Sequence, residues 1–543
     1  MARFCQTTPM NQMRKSNLVI SAALAAGLAL SSGFSSAQTL RWACAGDPLT
    51  LDPYAQNETL TNTVNGQIYE FLVTRDKQLK LVPQLATEWK QTGPQKWLLK
   101  LRPGVKFHDG RAFTADDVVF SIQRARQPSS QIAMYANAVG EPRRVDDLTV
   151  EFNLPQVNPI FLQHLSTLYI MSRGWAEANK ATKTQDFASK EESYAAFHSN
   201  GTGPFILVSR APDSKTVFKR NPNYWGQIEG NVQEVIYTPI KSEATRTAAL
   251  ISGEVDFVLD PAPRDLARLA QSSGLKIISG PENRIIFIGL DQGRDELLSG
   301  SPKGKNPFKD VRVRRALYQA IDIEAIKTRL MDGQAAPTGA MVPSPLGSFN
   351  DPTLEARLPF DLAAAKKLLN EAGYASGFEF TLDCPNNRYV NDERICMTLA
   401  SQWAKLGLKV KVNAQPKALF FNKIEKLDTS AYLFGWGGAI TDPESIFTSH
   451  FRNRGEKGIG EYNRGNFKDD ELDAVVAASS REPDEIKRQQ LIKQALKRMA
   501  EQVHYIPLHR QYIPWAARSN VTVVHRPDNW LEWRWITVTP APK

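Results

Sequence analysis

Between Phe378 and Val412 the sequence changes its hydrophobic period twice, and this limits the architectures open to the chain more than any other feature. Phe378, Phe380 and Leu382 alternate as in a strand, and Cys384 to Asn391 form a polar loop. Ile395, Leu399, Trp403 and Leu406 then recur at helical spacing until Gly407 ends the helix, after which Leu408, Val410 and Val412 alternate again. A strand, a helix and a second strand in this order make a crossover that pairs the strands parallel, which predicts an α/β fold. Ligands of such sheets collect beyond the carboxyl ends of strands, next to helix N-termini whose free amides favour anions. That geometry marks Asn386, Asn387 and Arg388 as candidate ligand-binding residues. It also brings Cys384, at a strand end, near Cys396, early in the helix.

With 543 residues, 42% apolar and 23% charged, the chain is too large for one core, so two lobes or more are expected. Arg14 and Lys15 precede an apolar run from Leu18 to Leu30 and a small-residue exit at Ser35, Ser36 and Ala37, the three-part pattern of a secretory signal over residues 1–37. The run is shorter than the roughly 20 apolar residues that span a bilayer. Cleavage leaves Gln38 first and removes Arg3, Arg14 and Lys15 with no acid, so the net charge falls from +10 to +7 and a soluble, exported protein is expected. The remaining Lys and Arg are scattered among Asp and Glu without a basic, aromatic-interleaved run, so no nucleic-acid partner is expected. In an oxidising compartment Cys384 and Cys396 are the favoured disulfide. Cys44, inside the strand-like run from Thr39 to Ala45, is then a buried free thiol.

Other elements are legible in pieces. Trp97, Leu99 and Leu101 alternate, Thr114 and Asp117 form a capping box ahead of a helix, and Ile285 to Leu290 is a continuous apolar strand. Catalytic patterns are missing. None of the seven histidines belongs to an HExxH motif, and His504 and His509 straddle Pro507. Gly304-Lys305 is followed by Asn306, which lacks the hydroxyl that a P-loop offers magnesium, and there is no Gly-x-Ser-x-Gly elbow. Carboxylates are plentiful enough for the acid and base of a secreted hydrolase, but no spacing singles out a pair. No catalytic residue, metal ligand or cofactor is expected.

Leu51-Asp52-Pro53, the run FHDGRAFTADDVVFS from Phe107 to Ser121, Gly201 to Phe205, and RNPNYW from Arg220 to Trp225 stand in order along the first half. VRVRRALYQAID from Val311 to Asp322, the helix end from Leu368 to Tyr374, and Gly435-Trp436-Gly437-Gly438 follow in the second. Together these segments resemble family 5 of the bacterial extracellular solute-binding proteins, the group of the dipeptide-, oligopeptide-, glutathione- and nickel-binding proteins. The resemblance implies a two-lobed periplasmic-binding-protein clamp (class C, or type II) with an extra subdomain inserted in the first lobe. Residues 38–288 would form lobe 1, with the insert at about 85–200, residues 289–509 lobe 2, and residues 510–543 a return to lobe 1. Its hinge would pair Ile285–Leu290 with Tyr505–Gln511.

The implied function is the periplasmic component of an ABC importer. It binds a peptide or peptide-like solute as a monomer and delivers it to a membrane permease whose energy comes from a separate ATPase. A carrier of nickel or a metal chelate on the same fold is the alternative, though no His-rich cleft is visible; a secreted hydrolase is the third reading. In dipeptide-binding relatives an arginine holds the ligand carboxylate, and here Arg388 and Arg394 both fit, with Arg388 preferred because a loop residue can point into a cleft. An Asp shortly after the Gly-Trp pair holds the ammonium in those relatives, and Ala439 occupies its place. Asp442 or Glu444 would then substitute, or the ligand lacks a free α-amino group. Trp436, with Gly437 and Gly438, is expected to wall the pocket.

Overall fold

The alternating run Thr39–Cys44 (β1) does form a strand, one of eleven in a mixed sheet. The others are Phe205–Ala211 (β2), Lys215–Arg220 (β3), Glu234–Pro239 (β4), Phe257–Val258 (β5), Leu275–Leu290 (β6), Ala335–Pro337 (β7), Glu379–Pro385 (β8), Lys409–Gln415 (β9), Ala431–Gly437 (β10) and Tyr505–Arg518 (β11). The computed structural model describes residues 38–187, 189–343, 351–437, 440–455 and 459–540, so the signal-like residues 1–37 lie outside it. The strands run in the order β2-β3-β4-β1-β5-β11-β6-β10-β8-β9, with β7 on β11. β8 and β9 pair parallel, Phe380 beside Val410 and Leu382 beside Val412, which is the crossover that the sequence period implies.

Two strands tie the halves of this sheet together. β6 and β11 pair antiparallel, with a break in register between Pro281 and Ile285. Before the break β11 also pairs β5, at Ala516 and Ala517; after it β6 also pairs β10, from Arg284 to Leu290. Cores form on either side. One gathers Leu40, Trp42, Phe205 and Phe257 with the late residues Trp515, Trp533 and Ile536. In the other half Ile286 and Ile288 join Phe380, Leu382 and Trp403 on one face, while Ile285 and Phe287 join Phe434 and Tyr505 on the opposite face. Burial on both faces is why Ile285 to Leu290 reads as unbroken apolar sequence rather than as an alternation.

The motifs of the first half are structural. Asp52 and Arg124 form a fully buried bidentate pair, at 2.7 and 2.5 Å, that ties the Leu51-Asp52-Pro53 turn to the helix Ala115–Ala125. That helix starts with the expected capping box at Thr114 and Asp117. Glu70 is buried and accepts from Gln84, Thr202, Tyr224 Oη and Trp225 Nε1, which explains why Gly201–Phe205 and Asn221–Trp225 carry those donors. A four-stranded antiparallel sheet spans Ala86–Gly93, Lys96–Leu101, Glu141–Asp146 and Thr149–Asn153, and it shares the first core. Cys44 is a buried free thiol, and Cys384 is bonded to Cys396.

Candidate functional site

β8 ends at Pro385, and the helix Asp392–Ala404 (α1) begins seven residues later. The Asp392 carboxylate fixes the turn between them by accepting from the backbone N–H groups of Arg388 and Tyr389, at 2.9 and 3.0 Å. Tyr389 Oη donates to the Gly435 carbonyl at 3.2 Å, Val390 N–H donates to Gln511 Oε1 at 3.0 Å, and the disulfide closes the loop. Arg388 is left projecting into a cavity of about 600 Å³ between the lobes, its guanidinium 5.2 Å from the centre of the Tyr389 ring. Burial and, next, the Arg284 guanidinium lower its pKa from the ordinary arginine value. Arg284 pairs with Glu282 at 2.9 Å, whereas Arg388 has no carboxylate partner among the described residues.

Trp436 lines the same cavity. It packs on His450, ring centres 4.5 Å apart, and on Tyr462, 4.7 Å apart. Burial and, next, the Arg464 guanidinium hold His450 well below its usual pKa, so the imidazole behind Trp436 is neutral. Gly435 and Gly437 allow β10 to lie close to its neighbours. A Cβ on Gly437 would sit 1.9 Å from the Asn283 carbonyl oxygen, and one on Gly435 would sit 2.7 Å from both Ile286 and Tyr389 side-chain atoms.

Five expected residues do not line the cavity. Asn386 is exposed and continues the β8–β9 ladder by donating to Gln415 O, while exposed Asn387 accepts from Lys417 N–H at 2.7 Å and caps the helix Lys417–Glu425 (α2). Arg394 lies on the exposed face of α1, 3.3 Å from Asn391 Oδ1. Asp442 is held by Arg488 in a buried bidentate pair at 2.8 and 2.7 Å, which corrects its reading as a free ammonium anchor. Glu444 is largely buried and pushed up to about 7 by that burial, with Thr448 Oγ1 donating to it. Gly438 and Ala439 lie outside the described residues.

Sequence reasoning missed the opposite wall, lined by Asn62, Gln131, Tyr135, Ser166, Thr167 and Tyr169, where the hydroxyls of Ser166, Thr167 and Tyr169 already donate to backbone carbonyls. It also missed Tyr462 and Arg464 on the Trp436 side. Of the four acids that line the cavity, Asp47 is held by Arg210 and Asp528 by Arg526, Glu58 accepts only from the Thr61 N–H and hydroxyl, and Glu425 has no ion-pair partner among the described residues. Arg388, Arg464 and Lys417 likewise line the cavity without an ion-pair partner among the described residues, so unpaired cations outnumber unpaired acids there and the cavity suits a solute with an acidic group and apolar surface.

A cavity walled by two lobes that share two long strands is the architecture of a periplasmic binding protein. The model of the bacterial extracellular solute-binding proteins, family 5, matches residues 80–458, and the chain belongs to that family. It is 30% identical over 522 residues to the dipeptide-binding protein of Pseudomonas aeruginosa, a match that covers 90% of this chain and 93% of the relative. The glutathione-binding protein of Pectobacterium atrosepticum is 27% identical over 457 residues, 82% and 83% of the two chains. The solved dipeptide-binding protein of Pseudoalteromonas sp. SM9913, in complex with Met-Leu, has the same fold, with a TM-score of 0.77 at 23% identity over 92% of this chain and 100% of that one.

Proposed function

We propose that this chain is the non-catalytic, periplasmic solute-binding component of an ABC importer, and that it closes its lobes on a peptide or peptide-like solute whose carboxylate meets Arg388. The observation that carries the reading is the cavity between the lobes, with Arg388 held in it without a carboxylate partner among the described residues. Lobe 1 would take residues 38–288 and 510–543 and lobe 2 residues 289–509, with the bend at the register break between Pro281 and Ile285. The closed form would be read by a membrane permease, with energy from a separate ATPase. Residues 1–37 would be removed on export, and a single copy would suffice because both walls belong to one chain. Among the described residues no histidine lines the cavity, which favours a peptide over nickel or a metal chelate.

A thermal-shift panel of dipeptides, tripeptides, glutathione and nickel–histidine tests the reading. A ligand at a hundred times its Kd stabilises the native state by about 2.7 kcal/mol. A rise in melting temperature with peptides is expected; a rise with the chelate alone would replace this reading with the metal one, and hydrolysis of the peptides during incubation would replace it with an enzyme.

A further inference from the structure

We propose that Arg464 is a second anion-binding group of the cavity, so that the solute carries two acidic groups, one on Arg388 and one on Arg464. This rests on the peptide reading above. Arg464 lines the cavity and is only 7% exposed. Among the described residues its Nε has no hydrogen-bond partner, and its side chain's contact to the backbone is a long one, from Nη1 to the Glu425 carbonyl at 3.4 Å. It lies 5.1 Å from the centre of the Tyr462 ring, the same ring that supports Trp436. No carboxylate pairs with it among the described residues.

Most other deeply buried arginines here have an acid or several carbonyls as partners, although Arg75, which pairs with no acid among the described residues and donates to the Leu79 carbonyl and Gln163 Oε1, likewise has an Nε without a hydrogen bond there. Arg124, Arg488 and Arg526 hold Asp52, Asp442 and Asp528, and Arg314, which pairs with no acid, donates to the carbonyls of Phe308, Lys309, Gln502 and Val503. A guanidinium out of water without such partners is costly, and an arriving anion removes that cost. Arg388 and Arg464 flank the end of β10, linked to it through Tyr389 on Gly435 and through Tyr462 on Trp436. A peptide-sized solute lying along that strand end would present one acid to each. The second acid need only be planar and able to accept two hydrogen bonds, as a side-chain or γ-linked carboxylate is.

Calorimetric titration with matched pairs, Ala-Glu against Ala-Gln and Ala-Ala-Glu against Ala-Ala-Gln, tests the assignment, since each pair differs by one carboxylate. The glutamate member of at least one pair is expected to bind about ten- to a hundredfold tighter, the worth of one charge-assisted contact. Arg464→Gln should erase that preference while keeping the affinity for the glutamine member, and Arg464→Lys, which keeps the charge but not the fork, should restore part of it. Equal binding of both members, or a preference that survives Arg464→Gln, would overturn the assignment and leave the peptide reading standing. Failure of all four peptides to bind the unaltered protein would overturn both. Circular dichroism of each variant separates loss of fold from loss of preference.

Discussion

Arg388 faces the cavity because its neighbours are tied down on three sides, by Asp392, by Gly435 and by Gln511. Arg388→Gln removes a fork that can donate two hydrogen bonds to a carboxylate, about 1.5–3 kcal/mol, and should weaken peptide binding about ten- to a hundredfold. Arg394→Gln, on the exposed face of the following helix, should leave affinity unchanged, and calorimetry on both variants with one peptide checks the contrast. Glu444 gives a second residue-scale expectation. Its folded-state pKa is pushed up to about 7 from the usual 4.5, chiefly by burial, so between those values the native state keeps a proton that the unfolded chain has released. Stability from this group therefore falls as pH rises through that window, by about 3 kcal/mol in all. Glu444→Gln should gain stability over the unaltered chain at pH 8 but not at pH 4, as read from denaturant midpoints. The place of Arg388 at a strand's carboxyl end was legible in the sequence because a clear strand period stops and a helix begins there. Asp442 misled because its partner Arg488 is 46 residues away, and Arg464 was invisible because an unpartnered arginine can be recognised only once its surroundings are placed.

The loop between β8 and α1 is the element on which the site depends. Cys384 and Cys396 close a short loop that contains Arg388, so the double substitution Cys384→Ser with Cys396→Ser should lower stability by about 2–4 kcal/mol and also loosen ligand binding. Urea unfolding and calorimetry on the same preparation read the two effects. In the first lobe, Asp52→Asn would leave the Arg124 charge buried without its carboxylate and should cost about 3–5 kcal/mol, measured by the same unfolding experiment. Elements with a full period were read nearly to their ends: the alternation at Phe378–Leu382 and Leu408–Val412 became β8 and β9. β6 was read only in part, as Ile285–Leu290, because its earlier half is partly exposed and contains Gly280 and Pro281, which break any alternation. The hub at Glu70 was not legible, since its donors come from three separate segments and meet only in the folded chain.

At the scale of the whole molecule, β6 and β11 are the two long strands common to both halves of the sheet, and their register break lies beside the cavity residue Arg284. On the proposed clamp, bending there would change the separation of the lobes while each core keeps its own contacts. Small-angle scattering should give a smaller radius of gyration with saturating peptide than without it, and an unchanged monomer mass. The two-lobed class was legible from chain length, the parallel crossover and the order of the motifs. The cavity wall of the first lobe was not, because it is built from isolated polar residues of separate loops and helix ends. Native mass spectrometry of the chain mixed with an equimolar set of di- to tetrapeptides tests the central claim most directly. The expected spectrum has one peptide adduct per chain, strongly reduced in Arg388→Gln; a spectrum with no peptide adduct but a nickel–histidine adduct under the same conditions would contradict it.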